Sequence, residues 1–163
     1  MKAVVAGLLV VVGVLAWCLT SEVANNGQLR GQLVDKSKLE SLQMQGKCAE
    51  QAKKVFHALG YKDAQQNGNA DTYQSHYNTK FGKCFLAIES MNVTTNPGTQ
   101  FINRVLLDAF EQREYAEYTW MSRKDKKFWE VPPTICKLIA SSTSEKICKS
   151  EDEYKAFVAS YIE

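Results

Sequence analysis

A histidine and a cysteine lie close together in a segment rich in aromatic residues. The segment is YQSHYNTKFGKCF, residues 73–85, and it contains His76 and Cys84. A thiol near an imidazole is the pattern of a cysteine nucleophile with its base, and both residue types also bind zinc. A third interpretation is structural, because a cysteine on a strand can staple a sheet through a disulfide. The spacing matches no local catalytic signature, and we favour the disulfide.

Other catalytic patterns are missing from the sequence. The chain has no Cys-x-x-Cys pair and only two histidines, so it lacks the close ligand pairs that zinc sites use. It also lacks a Gly-x-Ser-x-Gly elbow, a phosphate-binding loop, a dinucleotide fingerprint and a His-Glu-x-x-His motif. We therefore expect no catalytic residues, no metal and no cofactor, and predict that the chain is not an enzyme.

The N-terminal segment is strongly apolar. MKAVVAGLLVVVGVLAWCLTSEVANNG has a single lysine and then an unbroken apolar run over residues 3–19, the pattern of an export signal. As a helix this run is about 26 Å long, slightly shorter than a hydrocarbon core of ~30 Å. Residues 1–21 are therefore predicted to be a signal peptide or a membrane anchor. Cleavage after Ala16, after Ser21 or near Ala24 fits the pattern.

The same segment contains a lipidation pattern. Residues 15–18, LAWC, resemble the processing box of a bacterial lipoprotein, in which Cys18 carries the lipid. The box differs at Trp17, where Gly, Ala or Ser is required. All three interpretations of this segment, as a signal peptide, a membrane anchor or a lipoprotein signal, leave the positive N-terminus in the cytoplasm and export the rest of the chain. We predict an exported domain, periplasmic or membrane-anchored outside the cytoplasm, with the membrane as a partner through this segment if it is retained or lipidated.

Four cysteines remain in the exported part: Cys48, Cys84, Cys136 and Cys148. An oxidising compartment favours their pairing, and four cysteines allow three connectivities. Cys136 and Cys148 are symmetric about Ser142, so a hairpin centred there would bring them opposite each other. Cys48 lies on the apolar stripe of a predicted helix, and Cys84 alternates in phase with the apolar residues of a predicted strand. The sequence predicts disulfides Cys48–Cys84 and Cys136–Cys148.

The exported part is predicted to contain one domain, residues 35–163, after a flexible polar tether at residues 22–34. Ser37-Lys-Leu-Glu40 is a capping box that opens a helix, and Gly60 is placed to end it. A second capping box, Ser150-Glu-Asp-Glu153, opens a C-terminal helix. Between the helices, the sequence predicts four or five strands, over residues 83–89, 101–109, 115–121, 128–131 and 134–139.

Both predicted helices have apolar residues at helical spacing. In the first helix these are Leu39, Leu42, Cys48, Ala52, Val55, Phe56 and Leu59. In the last helix they are Tyr154, Phe157, Val158 and Tyr161. The order of helix, strands and helix predicts an α+β fold, with an antiparallel sheet covered on one face and stapled by two disulfides.

The best candidate for a binding patch is WMSRKDKKFW, residues 120–129. Trp120 with Trp129, and Met121 with Phe128, are symmetric about its centre, as a tight hairpin would place them. Four cations would cluster at the tip: Arg123, Lys124, Lys126 and Lys127. Aromatic side chains behind a basic tip suit membrane headgroups, an anionic envelope polymer or a partner protein. Alternatively, the aromatic side chains are buried in the sheet behind a solvated turn.

Three segments resemble a known group of proteins. They are HYNTKFGKCF, DAFEQREYAEYTW and CKSEDEYKAFVASYI, at residues 76–85, 108–120 and 148–162. They are similar to segments of an uncharacterised family of small exported bacterial proteins, often described as lipoprotein-like. The resemblance covers most of the chain after Cys48. It implies a location in the bacterial envelope and structural cysteines, and it implies no activity.

The sequence therefore predicts a non-enzymatic exported envelope domain that binds an unknown envelope protein or polymer. The alternative is a small secreted hydrolase, or an inhibitor of one, that uses His76 and a carboxylate. The formal net charge is only +2, without a dominant basic segment, so we expect no nucleic-acid partner.

Overall fold

A computed structural model describes residues 33–62, 70–93, 99–141 and 144–163 of the chain. The apolar run at residues 3–19 and Cys18 lie outside these described residues. The chain divides into two units between Leu42 and Gln43, and the second unit is residues 43–163. Within the described ranges, no helix combines the length and the apolar character that crossing a membrane requires.

The first helix, α1, covers residues 33–58. Ser37 is therefore inside the helix, and the predicted capping box at Ser37-Lys-Leu-Glu40 is wrong. The hydroxyl of Ser37 donates to the carbonyl of Val34 at 3.0 Å, a bond back to the preceding turn. The helix ends as predicted. Gly60 adopts a positive φ of 90°, and the N–H of Tyr61 donates to the carbonyl of Phe56 at 3.2 Å, as in a Schellman motif.

In the described residues, six antiparallel strands form one sheet in chain order. They are β1 (Ala70–Asn78), β2 (Lys83–Val93), β3 (Gln100–Asp108), β4 (Arg113–Met121), β5 (Ile135–Ser141) and β6 (Ser144–Ile147). The second helix, α2, follows over Glu151–Ile162. The α+β class is confirmed, with one or two more strands than the sequence predicted. The additional strands are the two edges of the sheet, where polar side chains weaken the apolar alternation that marks a strand.

The two helices pack on opposite faces of the sheet. Cys84, Leu86 and Ile88 of β2 are buried in a cluster with α1. Phe85, which alternates with them, is buried in a second cluster with α2. Since successive side chains of a strand point to opposite faces, both faces of β2 are covered. The expectation of a sheet covered on one face is therefore wrong.

The α1 stripe is shorter than predicted. Its buried residues are Cys48, Ala52, Val55 and Phe56, which pack on β2 and on the end of β3. Leu39, Leu42 and Leu59 are more than half exposed. Helical spacing alone identifies one side of a helix, but the length that is buried depends on the size of the sheet beneath it.

The α2 face matches its prediction. Tyr154 and Tyr161 are buried, and Phe157 and Val158 pack against the same cluster. Ser150 is the N-cap residue, and its hydroxyl accepts the backbone N–H of Glu153 at 3.2 Å. The predicted capping box at this helix is therefore confirmed in its Ser150 half. The carboxylate of Glu153 accepts instead from the N–H of Lys149, at 2.8 Å.

Candidate functional site

Both predicted disulfides are present. Cys48–Cys84 joins α1 to β2 with a Cα–Cα distance of 5.3 Å, and Cys136–Cys148 joins β5 to the residue after β6 with 5.0 Å. The hairpin prediction is also confirmed, because the N–H of Cys148 donates to the carbonyl of Cys136 at 2.9 Å. All four cysteines are buried. Two disulfides indicate an oxidising environment outside the cytoplasm.

His76 and Cys84 do not form a nucleophile and base. Cys84 is fully buried in its disulfide, and a disulfide sulfur offers no thiolate. His76 lies on the edge strand β1, where it pairs with Phe85 in the register with β2. Its side chain therefore points to the α2 face, whereas Cys84 points to the α1 face. The structural interpretation of Cys84 is confirmed.

The predicted tight hairpin over residues 120–129 is wrong. β4 ends at Met121, a 3-10 turn follows at Phe128–Glu130, and β5 begins only at Ile135. Thr119 pairs with Ile135, so the two strands are joined by a long loop. The predicted strand at residues 128–131 is this 3-10 turn. It is followed by Pro132-Pro133, which provides no backbone N–H to a strand ladder.

The two tryptophans of this segment have opposite environments. Trp120 is 3% exposed, its indole N–H donates to the carbonyl of Val131 at 3.0 Å, and its ring lies 4.6 Å from that of Phe128. Trp129 is 75% exposed, with the ammonium of Lys127 5.2 Å from its ring centroid. Such a distance allows a cation–π interaction. Trp120 is therefore a core residue that holds the loop, and Trp129 is an accessible one.

The four predicted cations are exposed on this loop. In the part of the chain that the structure describes, none of them forms an ion pair with a carboxylate. Two further apolar side chains of the loop are also exposed, Met121 at 46% and Phe128 at 41%. We call this set the Trp129 surface. Its members are Met121, Arg123, Lys124, Lys126, Lys127, Phe128 and Trp129.

The Trp129 surface is held by bonds at both ends of the loop. At its start, the N–H of Ser122 donates to the carbonyl of Gln100 at 2.8 Å, and the N–H of Gln100 donates to the hydroxyl of Ser122 at 2.7 Å. At its end, the N–H of Lys127 donates to the carboxylate of Glu130 at 2.9 Å. With the Trp120–Val131 bond, these contacts fix the loop before any partner binds, which reduces the entropy cost of binding.

A groove of about 330 Å³ lies beside Trp129. It separates the segment around the 3-10 turn from the start of α2, and Trp129 and Phe128 form part of its lining. Its charged lining is mixed: Glu130, Glu151 and Asp152 are acidic, and Lys149 is basic. Trp129 therefore has the cations of its own loop nearby and a groove beside it that contains both hydrogen-bond acceptors and one further cation.

A charged cluster that the sequence analysis missed lies under α2. Arg104 of β3 has a side chain only 12% exposed, and it pairs with Glu89 on β2 and with Glu151 of α2, the latter at 3.0 Å. Its guanidinium lies 5.3 Å from the ring centroid of Tyr118, and Lys155 pairs with Glu151 at 2.6 Å. The sequence signal was a basic residue, Arg104, in the middle of a strand. Its partners could not be read from the sequence, because strand register decides which residues are its neighbours.

This cluster borders a groove of about 510 Å³ between α2 and the strands β1 to β3. Burial disfavours the charged form of Glu151, but Lys155 and Arg104 outweigh it and lower the pKa of Glu151. Opposite charges thus compensate one another within the cluster, and its role is to attach α2 to the sheet.

In the described residues, no three His, Cys, Asp or Glu side chains come together as a metal site would require. No protein-family model, curated protein or solved structure matches this chain.

Proposed function

We propose that the chain is a non-enzymatic binding domain of the bacterial envelope, which binds an anionic partner through the Trp129 surface. The observation that carries this proposal is the combination of an indole that is 75% exposed and four exposed cations that pair with no carboxylate among the residues the structure describes. Isolated lysines are normal on a surface, but a large exposed aromatic ring among cations is typical of an interaction site. Hydrogen bonds of Ser122 and Trp120 connect this loop to the sheet and to Val131, and the four cations lie together on it within five residues of the sequence.

The location outside the cytoplasm is part of the same proposal. The two disulfides support it, because such bonds persist mainly in oxidising compartments. The apolar run at residues 3–19 and the resemblance to a family of exported bacterial proteins support it independently. The domain is then either released after cleavage or held at the membrane through residues 1–21 or a lipid on Cys18.

Charge reversal tests the binding proposal. The full chain, extracted in mild detergent, is mixed with lipid-free cell-wall material at physiological salt, and the retained fraction is measured. Replacing all four cations of the Trp129 surface with glutamate should abolish retention. The matched control makes the same change in net charge at four exposed lysines elsewhere, Lys47, Lys53, Lys54 and Lys62. Equal retention of the two variants would contradict the proposal.

Intact mass tests the location. The mass of the chain from its native membrane fraction distinguishes a retained anchor, a chain that begins at an acylated Cys18 and a shorter unmodified chain. Reduction should add about 4 Da, since each of the two disulfides takes up two hydrogens. An unchanged mass on reduction would contradict the proposed oxidising location.

A further inference from the structure

We infer that the anionic partner of the Trp129 surface is an acidic glycan, a sugar polymer that carries carboxylate or phosphate groups. This inference rests on the proposed function and names its partner class. Two observations support it: the small number of apolar side chains free to insert into a membrane, and the chemistry around Trp129.

The first observation is the small number of apolar side chains that are free to insert into a membrane. The ring of Phe128 rests on Trp120 at 4.6 Å, which leaves Trp129 as the main ring that is free to insert. One largely exposed indole, with Met121 and Phe128 each less than half exposed, provides little of the buried apolar area that interfacial membrane binding needs.

The second observation is the chemistry around Trp129. The face of an indole is electronegative, so it attracts the polarised C–H groups on the flat face of a sugar ring. Lys127 lies beside the ring, and Lys124 and Lys126 are exposed on the same loop, so all three provide point charges for carboxylate or phosphate groups. In the groove beside Trp129, Glu130 and Asp152 can accept bonds from hydroxyl groups, and Lys149 provides one more charge for an anionic group.

The two carboxylates are what distinguish a glycan from other polyanions. A chain that carries only anionic groups could pair with Lys149 and the loop cations but would offer no donor to Glu130 and Asp152, whereas sugar hydroxyls would donate to these carboxylates. A polymer with both hydroxyl and anionic groups therefore fits the whole surface. A neutral glycan would leave the cations without partners.

Binding of four probes tests the inference. The full chain in mild detergent is titrated with polygalacturonate, neutral dextran, polyglutamate, and vesicles of phosphatidylglycerol with phosphatidylcholine. We expect polygalacturonate to bind tightest, with an affinity that falls as salt rises. Trp129→Ala should weaken this binding roughly tenfold, and Asp152→Ala should weaken it while leaving polyglutamate binding unchanged or stronger. The control is Lys53→Glu with Lys54→Glu, on the exposed side of α1.

The other outcomes separate this inference from the proposed function. Equal binding of polyglutamate and polygalacturonate, without an effect of Trp129→Ala, would overturn the glycan and leave an ionic binding surface. Binding to the vesicles alone would overturn it in favour of a membrane. If no anionic probe binds, and charge reversal also has no effect on retention by cell-wall material, both proposals fail. Trp129 is exposed, so its replacement should leave the thermal unfolding temperature unchanged.

Discussion

The side-chain carbonyl of Gln45 accepts the backbone N–H of Tyr77 at 2.7 Å, and its amide nitrogen donates to the carbonyl of Ser75 at 3.4 Å. Gln45 lies on α1, whereas Ser75 and Tyr77 lie on β1, an edge strand of the sheet. The glutamine amide thus bonds the edge of β1 as the peptide group of a further strand would. Exposed edges are sites of unwanted pairing between chains, and this contact blocks one.

Replacing Gln45 with alanine should expose the backbone of β1 at Ser75 and Tyr77 to water. The loss of the two bonds should lower the free energy of unfolding by about 1 kcal/mol, because the strand groups regain water as partners. Hydrogen exchange of the Tyr77 amide should become faster, which mass spectrometry of the peptide that contains it would measure. Gln43→Ala, at an exposed position of the same helix, is the control. Unchanged exchange at Tyr77 would show that the contact does not protect the edge.

The two disulfides should differ in their contribution to stability. Cys48–Cys84 closes a longer loop than Cys136–Cys148, with separations of 36 and 12 residues. The chain-entropy relation gives about 4 kcal/mol for the first and about 3 kcal/mol for the second. We therefore expect the double alanine variant at Cys48 and Cys84 to unfold at lower urea concentration than the one at Cys136 and Cys148. The reverse order would show that loop length does not decide which disulfide stabilises the fold more.

Much of this fold could be predicted from local pattern. The second capping box, the α2 face and the symmetric spacing of Cys136 and Cys148 each depend on residues close together in the chain, and each is confirmed, the capping box in its Ser150 half. To predict the Cys48–Cys84 disulfide, it was enough to see that Cys48 lies on the apolar side of a helix and Cys84 on the apolar side of a strand. These features follow from periodicity, which a sequence displays directly.

The failures depend on contacts that a sequence does not display. Residues 128–131 have the aromatic content of a strand, but the bond from Trp120 to Val131 and the two prolines after it favour a 3-10 turn. The same contact buries Trp120 and leaves Trp129 outside, although symmetry in the sequence made them equivalent. The partners of Arg104 were also hidden, because they depend on the register of β3 with β2 and on where α2 crosses the sheet.

The two tryptophans should respond differently to substitution by phenylalanine. Trp120→Phe removes the indole donor and leaves the buried carbonyl of Val131 without that bond, which should lower the free energy of unfolding by about 2 kcal/mol. Trp129→Phe should change it by less than about 0.5 kcal/mol, because the side chain is 75% exposed. Urea unfolding of both variants measures the difference. If both variants changed the free energy of unfolding by a similar amount, the assignment of Trp120 as buried and Trp129 as exposed would be contradicted.

The attachment of α2 should weaken in acid through Glu151. Its pKa is lowered from an ordinary 4.5, because Lys155 and Arg104 outweigh the opposing effect of burial. In acid, the folded state therefore binds fewer protons at Glu151 than the unfolded state does. The ionised carboxylate stabilises the fold fully above pH 4.5, and this stabilisation is lost as the pH falls through the lower pKa of the folded state. Glu151→Gln should cost about 2 kcal/mol at neutral pH. We expect urea unfolding at several pH values to show this difference shrinking below pH 4.5, with Glu50→Gln as the exposed control. A difference independent of pH would show that charge is not its cause.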